Sequence, residues 1–170
     1  MAELTPKERL QPSLLDRLTD NEPDRQVESR DLRVLSPQRL RESVRRDLTW
    51  LFNCVNLASV QDLSAHPEAE RSTVNFGLPD LSGKTSNSVH APTLEKLIRK
   101  AIWEFEPRLT KQSVRVRLLQ DRTEFGPNAL CVVIEAELWA QPVPLRLLLR
   151  TDLNLETGEA RVADVTGQAG

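Results

Sequence analysis

Residues 94–118, LEKLIRKAIWEFEPRLTKQSVRVRL, contain the point at which the hydrophobic period of the chain changes. Leu94, Leu97, Ile98, Ala101, Ile102 and Phe105 recur at helical spacing, with Glu95, Lys96, Arg99, Lys100 and Glu104 on the other side. Pro107 cannot continue this helix, because it lacks an amide proton and pushes Glu106 out of helical dihedrals. After Arg108 the period becomes two: Val114, Val116 and Leu118 alternate with Arg115 and Arg117. A buried-face helix therefore gives way to a half-buried strand. Glu106 and Arg108 bracket the ordered corner between them, a platform with little conformational freedom left to lose on binding. The competing reading of the same residues is a helix stop with a local ion pair of small energetic worth.

Downstream, Leu130, Val132, Ile134, Ala136 and Leu138 alternate with residues including Glu135 and Glu137, and Leu145, Leu147 and Leu149 alternate with Arg146 and Arg150. Glu156-Thr157-Gly158-Glu159 supplies a turn, and residues 160–165 a fourth strand. Upstream, Ser36-Pro37 is an N-cap followed by proline at the first helical position, opening a helix to about Val55. Leu40, Val44, Leu48, Leu51, Phe52 and Val55 line one side of it, and Arg41, Glu42, Arg45, Arg46 and Thr49 much of the rest. Consecutive strands with short connections give an α+β fold: an antiparallel sheet of about four strands packed on two main amphipathic helices.

Residues 1–30 are polar, contain Pro6, Pro12 and Pro23, and have one apolar patch, Leu14, Leu15 and Leu18. They read as a mobile N-terminal arm with one short helix, which must dock to persist because so short a helix is marginal in water. Residues 31–166 read as a single domain. Between the helices, Asn56 to Pro92 has no long period, although Ser59 to Leu63 suits a helical turn. Val74 to Leu81, grouped around Gly77 and Pro79, reads as a loop pinned to the core, and Ser82 to Ser88 as its loose tail.

The chain has 170 residues, 39% hydrophobic and 28% charged, with a net charge of −2, so no global basic field draws it to nucleic acid or an anionic membrane. Arg45-Arg46 reads as a solvated helix face without the interleaved aromatics that stack bases. No stretch approaches the roughly 20 apolar residues that span a bilayer, and Met1 to Pro6 has neither a basic start nor an apolar signal segment, which predicts a cytoplasmic protein. Cys54 and Cys131, in a helix and a strand pattern, are expected to be buried thiols.

No catalytic constellation emerges. Glu135 and Glu137 share a strand face, as a glycosidase pair would, but Arg115, Arg117, Arg146 and Arg150 offer cross-strand partners that would make them poor acids. His66 and His90 are loop residues without metal-ligand spacing, and no nucleophile motif or phosphate-cradling glycine loop is present. No metal or cofactor is expected.

Three segments in order, Arg45-Arg46-Asp47-Leu48-Thr49-Trp50-Leu51-Phe52-Asn53, then Arg71-Ser72-Thr73-Val74-Asn75-Phe76-Gly77-Leu78-Pro79-Asp80, then Phe105-Glu106-Pro107-Arg108-Leu109, resemble the small baseplate wedge subunit of bacterial type VI secretion systems. That family is related to a contractile-phage tail baseplate protein and has been labelled lysozyme-like. The resemblance implies a structural role, without catalysis, in a cytoplasmic baseplate docked at the inner membrane. It implies contact with a bundle of the larger wedge subunits through Glu106, Pro107 and Arg108, with Leu109 beside them, and a starting point for assembly of contractile sheath proteins. Arg108→Ala is then expected to leave the domain folded and abolish wedge incorporation. Sheath contact by strand addition is expected at Leu145 to Thr151 or at the strand after Gly158. A peptidoglycan hydrolase and an unrelated cytoplasmic adaptor are the alternatives.

Overall fold

The computed structural model describes residues 13–19, 36–84, 89–119, 128–139 and 144–166. Most of the expected arm, and the Thr85 to Ser88 end of the loose tail, lie outside the described residues. Among the described residues four α-helices, α1 (Leu14–Leu18), α2 (Pro37–Asn53), α3 (Pro67–Glu70) and α4 (Ala91–Phe105), precede four strands, β1 (Arg115–Leu119), β2 (Ala129–Leu138), β3 (Leu145–Asn154) and β4 (Ala160–Asp164). The strands form one antiparallel sheet in the order β1-β2-β3-β4. The fold is α+β, as the switch of period predicts.

The core lies between one face of this sheet and α2 and α4. Leu40, Val44, Leu48, Leu51 and Phe52 from α2 meet Leu94, Ile98 and Ile102 from α4 and alternate residues of the strands in one buried cluster. Each such large side chain contributes ~1.5–3 kcal/mol on leaving water. Ser36 caps α2 as predicted, its hydroxyl accepting from the Arg39 amide at 3.2 Å.

α2 ends at Asn53, short of the expected Val55, because the chain is drawn into a different pairing. The Leu78 amide donates to the Cys54 carbonyl and the Asn56 amide to the Leu78 carbonyl, both at 2.9 Å. Val55 and Cys54 are consequently exposed, so the expectation of a buried Cys54 fails, whereas Cys131 is buried. Gly77 makes this pairing possible: its φ is +130°, and a Cβ there would fall 2.4 Å from the Cys54 carbonyl oxygen. The pinned loop is real, with Leu78 buried and Phe76 set edge-on to Phe105 at 5.2 Å between ring centroids. Its neighbouring helical turn forms at Leu57–Ser59, two residues earlier than expected. Buried Asn75 holds that turn, accepting from the Ala58 amide at 2.9 Å and donating to the Glu70 carbonyl at 2.8 Å.

The two sheet edges are partly closed by helix side chains. Asn53 clasps the outward backbone of β4 at Ala160, donating to its carbonyl at 2.8 Å and accepting from its amide at 2.9 Å. Arg45, expected on a solvated face, donates to the Val162 carbonyl at 3.4 Å. At the other edge the Leu118 amide donates to the Glu95 carboxylate at 2.8 Å. The register narrows the strand-addition expectation: β3 is flanked by β2 throughout and by β4 from Leu149 to Leu153, and Leu148 bonds to Val165 and Thr166. Of that expectation Leu148 to Thr151 is closed, while Leu145 to Leu147 lie outside the β4 pairing and β4 is an edge strand.

Candidate functional site

The corner is built from both sides of Pro107. Glu106 caps α4 in a non-helical conformation, its amide still donating to the Ile102 carbonyl at 2.9 Å. The next residues are stitched to the end of β2: the Trp139 amide donates to the Arg108 carbonyl at 2.8 Å and the Thr110 amide to the Glu137 carbonyl at 2.9 Å. Backbone pairing on one side and a helix end on the other leave the corner little room to move.

Glu106 is only 3% exposed, so its charge requires compensation within the fold. Arg108 supplies it as a two-pronged pair, Nε to Glu106 Oε1 at 2.7 Å and Nη2 to Oε2 at 2.5 Å. The same guanidinium reaches α2, donating from Nη2 to Asp47 Oδ2 at 2.6 Å and from Nη1 to the Ser43 hydroxyl at 3.0 Å. Buried Ser43 passes the connection on: its hydroxyl donates to Asp16 Oδ2 of α1 at 2.8 Å and also accepts from Arg46 at 3.3 Å. Arg46 closes the cluster by pairing with Asp16 and with Asp47, and its guanidinium lies 5.2 Å from the centroid of the Trp50 ring.

Electrostatics follow from this geometry. Burial pushes the Asp16 carboxyl up, but hydrogen bonds from Arg46, Ser13 and Ser43 outweigh it and hold Asp16 well below the usual carboxylate range. For Arg108, burial favours the neutral form and is outweighed by Glu106 and then Asp47, so its charge is locked in. Such a cluster fixes shape rather than moving protons.

Beside it lies a groove of about 430 Å³, lined largely by Leu15, Leu48, Trp50, Phe76, Phe105 and Pro107. Among the four residues read from sequence as partner-binding, the structure exposes Pro107 and part of Arg108, whose side chain is 25% exposed, and buries Glu106 and Leu109. Asp16 and Ser43 were not singled out. The available signal for Ser43 was a hydroxyl among the apolar positions of α2, next to Val44 and one turn before Asp47.

Glu135 and Glu137 lie away from this site. They stand opposite Arg115 and Arg146 in the sheet register, as cross-strand reasoning predicts, yet neither forms an ion pair with those arginines. No group of three metal-binding side chains occurs among the described residues, and none of the described helices is long and apolar enough to cross a membrane.

An α+β scaffold with an ion cluster locking one corner against α2 defines a structural class of site, in which charged groups hold a surface in place. Over residues 38–143 the chain matches the family model of Baseplate wedge protein gp25, and it belongs to that family of baseplate structural proteins. The matched span includes Ser43, Asp47, Gly77 and the Glu106–Arg108 corner, whereas α1 with Asp16 precedes it. No curated protein and no solved structure gives a match to the chain.

Proposed function

We propose that the chain is a non-enzymatic wedge subunit of a type VI secretion baseplate. It acts in the cytoplasm, in a baseplate docked at the inner membrane, and assembles with the larger wedge subunits. The corner at Glu106, Pro107 and Arg108, with Leu109 packed behind it, is the docking platform, and the wedge so formed gives the contractile sheath its starting point. Residues 31–166 form the wedge domain, and residues 1–30 its arm.

The observation that carries this reading is the Arg108 guanidinium held simultaneously by Glu106, Asp47 and Ser43 beneath an exposed Pro107. An ordered surface of this kind loses little freedom when a partner docks. Family membership supports assembly with other baseplate components.

The test is recovery of tagged protein from its native host, with copurifying proteins identified by mass spectrometry. Pro107→Glu changes the exposed apex without removing a member of the ion cluster. Recovery of wedge and sheath proteins with the wild type and their loss with Pro107→Glu is the expected result. A wild-type chain that recovers neither from cells expressing the apparatus overturns the proposal.

A further inference from the structure

The cluster under the corner does not balance its own charge. Asp16, Asp47 and Glu106 contribute three carboxylates and Arg46 and Arg108 two guanidiniums, a surplus of one negative charge in a half-buried setting. Arg108 already donates inward from Nε, Nη1 and Nη2, and Arg46 is engaged by Asp16, Asp47 and Ser43. The guanidiniums thus have little left for an incoming acceptor. Asp47 keeps 26% of its side chain exposed, and each carboxylate oxygen can accept more than one donor.

The groove next to this surplus is apolar and incompletely filled. α1 stands along it, anchored through Asp16, while Leu14, Leu15 and Leu18 remain 71%, 43% and 74% exposed. A five-residue helix held by polar contacts, with its leucines turned outward, does not minimise exposed apolar area by itself. Trp50, 49% exposed, adds to the same surface. The lining comes from helices, the pinned loop and the proline corner and offers no unpaired strand, so an occupant is recognised through its side chains.

We infer that the groove, with Leu15 of α1 and its capping Ser13 in one wall, takes an apolar protein segment carrying a lysine or arginine, the cation settling against Asp47, which lines it. The segment's apolar side chains pack on Leu15, Trp50 and Phe105. The inference rests on the baseplate reading for the source of the segment and adds its chemistry: the partner brings a cation to the corner, the opposite of the carboxylate that an isolated Arg108 would attract.

The test titrates the purified full chain with three amphipathic helical peptides of about 18 residues, identical except for lysine, glutamine or glutamate at one boundary position. By calorimetry the lysine peptide is expected to bind about tenfold more tightly than the glutamate peptide, with glutamine between them. Leu15→Ser and Trp50→Ala, at exposed groove positions outside the core cluster, are each expected to weaken lysine-peptide binding about tenfold. Equal affinities across the peptides, undiminished binding by both variants, or no binding at millimolar peptide overturns the inference. The same two variants, tagged in the native host, separate the proposals. If wild type and both variants recover the wedge proteins equally, the groove inference falls and the baseplate reading stands. If the wild type recovers none while the lysine peptide binds as expected, the baseplate reading falls and the groove chemistry stands.

Discussion

Arg108 Nη2 lies 2.6 Å from Asp47 Oδ2, although 61 positions separate the two residues in the chain. This contact ties the corner after α4 to the middle of α2, and Ser43, one helical turn earlier, receives Nη1 of the same guanidinium. The corner owes its stiffness to charges satisfied inside the domain. Any change to those charges acts first on stability and only then on binding.

Arg108→Ala leaves Glu106 buried without its cation, and the expected loss is about 3–5 kcal/mol of folding stability. Arg108→Lys retains the charge but cannot grip Glu106, Asp47 and Ser43 with one planar fork, so it falls between the two. Urea unfolding measures both; an Arg108→Ala midpoint equal to that of the wild type would contradict the cluster's role. This replaces the expectation from sequence that Arg108→Ala leaves the domain intact, an expectation that treated Glu106 as a surface residue.

Docking of α1 depends on pH through Asp16. Its carboxyl is held below the ordinary value in the docked state, so the undocked state binds more protons as the solution is acidified. The contribution is complete above the ordinary carboxyl pKa of about 3.9 and is lost as pH falls from there towards the depressed native value. Methyl resonances of Leu15 and Leu18 are expected to move towards coil positions through that window, and in Asp16→Asn to sit there already at neutral pH. Docked-state resonances in Asp16→Asn at neutral pH would refute the assignment.

Gly77→Ala places a methyl group 2.4 Å from the Cys54 carbonyl oxygen at a positive φ, so the Val55–Leu78 bridge must open. The expected cost is about 2–4 kcal/mol, with Phe76 losing its edge contact with Phe105. Gly83→Ala serves as the contrast: its φ is +73° but nothing lies within 4 Å of the added carbon, and its cost is about 1 kcal/mol. Thermal denaturation of the pair separates backbone strain from close approach, and similar losses in both would argue against the Cys54 contact.

The elements themselves were legible because their causes are local. Ser36-Pro37 caps and opens α2 within a few residues, Pro107 ends α4, and alternation after Arg108 places one face of each strand against the helices. Pairing of the strands in sequence order follows from their short connections. The motif around Glu106 was likewise legible as a corner, since proline restricts the residue before it whatever surrounds it.

Tertiary structure alone decided what those residues do. α2 stops at Asn53 because Leu78 captures the Cys54 carbonyl, and periodicity along a helix contains no information about a loop that competes for its last backbone groups. Glu106 changed from a candidate contact into a buried ion-pair partner, and Ser43 from a small polar residue into the junction of two arginines, once Asp16, Asp47 and Arg108 met around them. By itself the sequence determined which segments are helix and strand and which of their faces is apolar, since both follow from backbone sterics and hydrophobic spacing. The burial of a charge and its compensation depend on groups distant in the chain, so they were decided only when folding brought those groups within hydrogen-bond reach.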